Sequence, residues 1–160
     1  MKKFLIIANM NSANYLIPLI KDEKMWLGYT SPKKFIQPDG TLKFGNIIWW
    51  TNIDLKKRHT PLLLCKEYIG HEIEYPMYDN YNAIECGRTV DIPKDYLGYM
   101  GVPISFLNKY NSDQFEIIGI TYSKDKNPDI ELIRTNSKKR HTPFINGKEK
   151  YPRIIIKRKL

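Results

Sequence analysis

The sequence predicts an α/β fold, a mixed sheet with few short helices. Three observations carry this reading. Residues 3–8 (Lys-Phe-Leu-Ile-Ile-Ala) are a near-continuous apolar run, the pattern of a strand buried on both faces in a parallel sheet. The first 65 residues read as strand, helix, strand, loop, strand, which resembles the end of an α/β sheet closing in an antiparallel hairpin. With 160 residues, 42% of them hydrophobic, the chain has material for one core and is expected to form one compact unit.

The elements follow in order. After the strand at 3–8, Asn9-Met10-Asn11-Ser12 reads as a polar turn. A short helix is expected over 15–24 with Pro18 in its first turn, where a missing N–H costs least. Met25 to Tyr29 reads as a second strand. Residues 30–43 hold Pro32, Pro38 and Asp39-Gly40, so they read as a loop with an edge strand near Phe35. Residues 45–53 are the plainest strand, and Pro61 to Cys65 reads as another. Residues 66–103 are rich in tyrosine, proline and acids without a period, and read as irregular structure packed on the sheet. Ile104 to Tyr110 reads as a short helix, Phe115 to Thr121 as a strand and Ser123 to Asp129 as a loop. Phe144-Ile145 and Arg153 to Ile156 flank Asn146-Gly147, a favoured type I′ pair, so a hairpin is expected between them.

Charge is unevenly placed. The net charge is +9, but residues 1–61 hold 10 basic and 4 acidic side chains, residues 62–123 hold 4 and 9, and residues 124–160 hold 12 and 4. Two basic segments flank an acidic one. Basic segments attract polyanions by releasing condensed counterions, although lysines equally serve as solvated surface. No apolar run is long enough to cross a bilayer, and the start lacks the apolar region and cleavage site of a signal peptide. Two cysteines, Cys65 and Cys86, make no disulfide framework. A reduced, cytoplasmic chain is expected.

Searches for chemistry are mostly negative. No phosphate loop and no G-x-G-x-x-G occurs; Gly98 and Gly101 read as a turn pair. Cys65, His71 and Cys86 lack zinc spacing, and no Gly-x-Ser-x-Gly elbow is present. No catalytic, cofactor-binding or metal-ligating residue is assigned. One echo is positive: Lys56-Lys57-Arg58-His59-Thr60-Pro61 recurs as Lys138-Lys139-Arg140-His141-Thr142-Pro143, each after a Thr-Asn pair. Lysine and arginine supply charge, and histidine and threonine supply hydrogen bonds, for phosphate contact. A solvated turn between strands is the plainer alternative. Lys56, Lys57, Arg58, His59, Lys138, Lys139, Arg140 and His141 are therefore the DNA-contact candidates. Near the first copy stand Phe44, Trp49 and Trp50. At least one tryptophan is expected in the core by strand alternation, while Phe44 is open to stacking on a base.

At these residues the chain resembles the C-terminal part of EcoRI-type adenine-specific DNA methyltransferases. The likeness runs through KKFLIIANMNSANY at 2–15, IPLIKDEKMWLGY at 17–29, KFGNIIWWTNIDLKKRHTPLLL at 43–64 and EYPMYDNYNAI at 74–84. It continues in DIPKDYLGYMGVPISFLNKYNSDQFEIIG at 91–119 and INGKEKYPRIIIKRK at 145–159. The resemblance implies a Rossmann-like fold and transfer of a methyl group from S-adenosylmethionine to the adenine amino group of double-stranded DNA. It implies that residues 1–65 are terminal strands of the methyltransferase-like sheet and residues 66–160 a β-rich region facing DNA. It also implies that Phe44 stacks on the flipped adenine.

The resemblance has one gap. The family's glycine-rich cofactor motif and its catalytic Asn-Pro-Pro-aromatic motif are both absent from these 160 residues; Asn127-Pro128-Asp129 is the nearest approach. The chain thus reads as a fragment that begins after the catalytic loop. It is expected to be inactive alone and to bind no S-adenosylmethionine by itself. It would act with an upstream methyltransferase half, or self-associate through a bare sheet edge. The alternatives are a non-enzymatic DNA-binding or interaction module, or the relic of a truncated gene. No membrane or metal partner is expected.

Overall fold

The computed structural model describes residues 2–28, 30, 34–121, 128–135 and 141–160, without the side chains at 35, 43, 44 and 128. The chain divides into two compact units, Met1–Lys56 and Lys57–Leu160. It mixes helix and sheet with few short helices, as its sequence predicts.

The first unit is built on a three-stranded antiparallel sheet in the order β1-β5-β2, with β1 at Leu5–Asn9, β5 at Ile47–Thr51 and β2 at Trp26–Leu27. Helix α1 (Ala13–Lys21) buries Ala13, Ile17 and Ile20, a spacing that puts all three on one face. Ile48, Trp50 and Leu27 are the sheet's fully buried apolar residues. The helix begins earlier than the sequence predicts, after a 3-10 turn at Met10–Ser12, so Pro18 lies inside it rather than in its first turn. It ends in a Schellman arrangement: Glu23 takes φ 55°, and the Lys24 N–H donates to the Leu19 carbonyl at 2.8 Å.

Strand β1 departs from its expectation. It pairs antiparallel with β5, from Leu5 opposite Thr51 to Asn9 opposite Ile47, and it is an edge strand. Leu5, Ile6 and Ile7 are 57%, 48% and 48% exposed. The apolar run is a sound sign of a strand with two apolar faces, yet among the described residues nothing covers both. A small separate ribbon follows: β3 (Lys34–Ile36) pairs with β4 (Leu42–Phe44).

The second unit centres on a four-stranded mixed sheet. Its order is β6 (Ile84–Glu85), β7 (Met100–Val102), β11 (Ile154–Arg158), β8 (Phe115–Ile120). Within it, β6 and β7 run parallel and the other pairs antiparallel. Ile154, Ile155 and Ile156 in β11 are all fully buried, which requires cover on both faces. One buried cluster joins Tyr78, Tyr81, Ala83, Ile118, Ile145 and Ile155 to Ile130 and Ile133. Phe106 and Phe115 meet edge to face at 5.3 Å.

The structure corrects several expectations. Pro61 to Cys65 forms no strand; the Leu62 backbone N–H and carbonyl bond the Gln114 side chain instead. The expected helix at 104–110 is a 3-10 segment, Ile104–Lys109. Pro128 and Asp129 open the short helix α2 (Pro128–Leu132) rather than closing a loop; residues 122–127 lie outside the described set. Asn146 and Gly147 do form a tight turn, both at positive φ (50° and 74°). The strands it joins are β9 (Phe144–Ile145) and β10 (Lys148–Glu149), while residues 154–158 enter the large sheet.

Candidate nucleic-acid interface

Phe44 ends β4, opposite Lys34 in β3. The ribbon's turn is set by Asp39, whose Oδ1 accepts the Thr41 N–H at 2.9 Å and hydroxyl at 2.7 Å, and by Gly40 at φ 82°. Such a turn needs a residue free of Cβ at the left-handed position. Of the neighbouring tryptophans, Trp50 is fully buried. Trp49 is half-buried, and a Cβ on Gly28 would stand 2.6 Å from its own Cβ. Core packing thus accounts for Trp50.

The first basic copy is a 3-10 turn, Lys56–His59. Lys56, Lys57 and His59 are exposed, whereas Arg58 is buried. The turn therefore presents two lysines and a histidine outward and commits its arginine inward. The Thr-Asn pair before it is an anchor: the Thr51 hydroxyl donates to the Phe4 carbonyl at 2.6 Å. The Asn52 side chain accepts the Phe4 N–H at 2.8 Å and donates to the Lys2 carbonyl at 2.9 Å.

In the second copy, Lys138, Lys139 and Arg140 lie outside the described residues; His141 lies within them. Its ring is largely buried, with Nδ1 3.2 Å from Glu131 Oε1 and Nε2 3.4 Å from an Arg134 guanidinium nitrogen. The chain on both sides of 136–140 meets residues 79–82. On the upstream side, the Thr135 N–H donates to the Asn80 carbonyl (3.1 Å), its hydroxyl to the Asp79 carbonyl (3.2 Å), and the Asn82 N–H to the Ile133 carbonyl (2.7 Å). On the downstream side, the Tyr81 hydroxyl donates to the His141 carbonyl. Fully buried Asn80 donates from Nδ2 to the Thr142 carbonyl (2.9 Å) and accepts the Phe144 N–H (3.0 Å). The Asp79 carboxylate accepts the N–H groups of Asn146 (3.0 Å) and Gly147 (2.8 Å). Burial pushes the Tyr81 phenol up to about 12, so it is a neutral donor at physiological pH.

A second buried network lies in the same unit. Arg153 grips Glu85 with Nη2 to Oε1 at 2.7 Å and Nε to both carboxylate oxygens at 3.0 and 3.2 Å. The Tyr78 hydroxyl donates to Glu85 Oε2. Burial, then the Glu85 charge, drives the Tyr78 phenol far above its ordinary range. Arg153 and Thr121 also exchange bonds, Arg153 N–H to the Thr121 hydroxyl and Thr121 N–H to the Arg153 carbonyl, both at 2.9 Å. Forked pairing of this kind satisfies a buried carboxylate.

Two small cavities occur in the acidic segment. One, about 270 Å³, is lined by Cys65, Lys66, Glu67, His71 and Glu74. The other, about 210 Å³, is lined by Lys66, Glu74, Tyr75, Glu85, Gly87, Arg88 and Asp91. Both are polar. Among the described residues, no group of three or more His, Cys, Asp or Glu side chains is arranged to hold a metal ion. Among the same residues, no helix is long and apolar enough to cross a membrane.

Sequence reasoning missed Asp79, Asn80, Tyr81, Glu85 and Arg153. The side-chain bonds they make span 56 to 68 residues, beyond the reach of any local pattern. The one available signal is polar Asp79-Asn80 set between Tyr78 and Tyr81 in an otherwise apolar-aromatic stretch.

Comparison with known proteins bears on the whole chain. A family model, adenine-specific methyltransferase EcoRI, matches residues 1–159. The Type II methyltransferase M.EcoRI of Escherichia coli is 41% identical over 179 residues, covering 99% of this chain and 51% of its own length. The Type II methyltransferases M.MpnI of Mycoplasma pneumoniae and M.MgeORF184P of Mycoplasma genitalium are each 32% identical, covering 99% and 98% of this chain and 57% of their own lengths. No solved structure matches. The chain spans about half the length of the curated relatives it matches. By its match along nearly every residue, the chain belongs to the EcoRI family of adenine-specific methyltransferases.

Proposed function

We propose that this chain is the DNA-facing, C-terminal part of a DNA adenine methyltransferase of a restriction-modification system, acting in the cytoplasm and inactive without the rest of the fold. The observation that carries this reading is strand β1. It is an edge strand, apolar on both faces and about half exposed at Leu5, Ile6 and Ile7, in a chain that covers about half of its relatives. An exposed apolar edge is a strand waiting for a neighbour. In this reading the sheet β1-β5-β2 is the end of a larger Rossmann-like sheet, and the remaining strands come from an upstream methyltransferase half. Without that half, the bare edge drives self-association.

The cofactor belongs to that other part. S-adenosylmethionine needs an enclosed pocket with apolar walls for its adenine. The two cavities among the described residues are small, polar and lined by charged side chains, so they do not fit it. No step of methyl transfer is assigned to residues of this chain. Its own contribution is to hold double-stranded DNA. The exposed Lys56, Lys57 and His59 of the first turn, with Lys138, Lys139 and Arg140 of the second copy, would contact phosphates, and Phe44 would stack on the extruded adenine. Region 66–160 would supply the remaining DNA-recognition surface.

The test is radiolabelled methyl transfer to duplex DNA. The chain alone should give no signal above a no-protein blank. Co-expression with the part of the E. coli relative that this chain does not span should give a complex and methylation. Transfer by the isolated chain would refute the division of labour. Salt-sensitive DNA binding without complex formation or methylation would favour the other reading, a DNA-binding module without enzymatic activity, which the two basic segments also support.

A further inference from the structure

We infer that Asp79 and Asn80 are positioning residues for DNA binding: they stake both ends of the second basic copy to one fixed rib. The inference rests on the proposed DNA-binding reading and adds to it the device that would hold the basic side chains in register. Thr135, before Lys138-Lys139-Arg140, is tied to the backbone carbonyls of Asp79 and Asn80. Thr142 and Phe144, after them, are tied to the Asn80 side chain, and the Asn146-Gly147 turn to the Asp79 carboxylate. Asn80 is fully buried and uses its side-chain amide as donor and acceptor at once. Such a group is set in place by the core and in turn sets what it binds.

The two basic copies share this arrangement. In each, the threonine of the preceding Thr-Asn pair donates its hydroxyl to a distant backbone carbonyl, Thr51 to Phe4 and Thr135 to Asp79. A pair that recurs with its hydrogen bond, and not only with its letters, points to a common purpose: fixing where a run of three cations leaves the fold. Fixing the ends of a charged segment before binding removes ordering cost at the moment of binding. It also lets several phosphates be neutralised together rather than one at a time.

Asp79 makes the idea separable from bulk electrostatics. It is acidic, so Asp79→Ala raises the net charge by one unit. If charge alone governed, the variant would bind DNA more tightly. Positioning requires the opposite sign. The experiment is fluorescence anisotropy of a labelled duplex with the full chain across a salt series. Variants are Asp79→Ala, Asp79→Asn, the triple Lys138→Ser/Lys139→Ser/Arg140→Ser, and the triple combined with Asp79→Ala. Circular dichroism and thermal melting check that each is folded.

Asp79→Ala should weaken binding about tenfold, as a loss of preorganisation would. It should also lower the salt slope by about 0.9 for each phosphate no longer neutralised. Asp79→Asn carries the same charge as the alanine variant but keeps an acceptor oxygen, so it should recover part of the affinity. In the triple background the Asp79→Ala effect should vanish, because the residue acts only through those side chains. Should Asp79→Ala fail to fold, Thr135→Val, which deletes one exposed hydroxyl bond, takes its place with a smaller loss in the same direction. If the triple weakens binding but Asp79→Ala does not, or weakens it equally in both backgrounds, the positioning role is overturned and the DNA-binding reading stands. If the triple itself changes nothing, the second copy does not touch DNA and both fall.

Discussion

Gly101 in β7 is a position where one added methyl group should strain the whole second unit. A Cβ there would stand 2.1 Å from the Tyr78 Oη and 2.6 and 2.7 Å from two of its ring carbons. The ring has little room to retreat. Tyr78 is 4% exposed, meets Tyr81 edge to face at 6.5 Å, and its hydroxyl is held on Glu85. Overpacking of a tight core costs about 1–3 kcal/mol. Pulling the phenol from the Glu85 carboxylate forfeits a hydrogen bond to a charged group, about 1.5–3 kcal/mol. Gly101→Ala should therefore destabilise the unit by about 3 kcal/mol, or roughly 12 °C or more in Tm for a unit of about 100 residues. Urea unfolding followed by near-UV circular dichroism measures it, since all tyrosines except Tyr15 and Tyr29 lie in this unit. Tyr78→Phe frees the ring from Glu85, so Gly101→Ala should cost less in that background. A loss below about 0.5 kcal/mol, or additivity with Tyr78→Phe, would refute the clash as the reason for glycine.

Three further outcomes are expected. Arg88 holds the Asp91 carboxyl, and the N–H groups of Tyr68 and Ile69 hold that of Asp95, below the ordinary value. Their contribution is present above the unfolded carboxylate range and lost as pH falls through the lowered values; urea midpoints should drop below about pH 4, and less so in Asp91→Asn/Asp95→Asn. Ile7→Lys on the exposed edge strand should convert associated protein to monomer by sedimentation velocity, whereas unchanged association would place the contact elsewhere. In a reconstituted two-part enzyme, Phe44→Ala should lose about 1–3 kcal/mol of base stacking, read as weaker 2-aminopurine fluorescence on flipping; full flipping would remove Phe44 from the base.

Local pattern reveals some of this fold and cannot reveal the rest. Strand β5 is legible because Ile48 and Trp50 alternate with less buried neighbours. The Asn146-Gly147 turn is legible from its conformational demand, but its second strand is not. Lys148 and Glu149 are exposed and polar, so the eye passes to the apolar Ile154–Ile156 run. Strands of two or three residues, such as Ile84–Glu85 and Met100–Val102, are too short for any period to register. Pro61 to Cys65 misleads in the opposite sense, being apolar without pairing. At the site, the repeated basic hexapeptide is visible in one dimension. That Arg58 turns inward, and that Asp79 and Asn80 tie down the second copy, depends on bonds and packing made only when distant segments meet.

The two thiols give this chain a built-in clock for its own opening. Cys65 is exposed and Cys86 is buried beside Glu85, where burial also raises the thiol far above its ordinary range. Since the thiolate is the reacting species, Cys86 is shielded twice, by packing and by protonation. A thiol reagent added to native protein should therefore consume one equivalent at once and the second only as fast as the core around β6 and β7 opens. The interval between the two events reads the stability of the second unit under native conditions, without denaturant and without any introduced label.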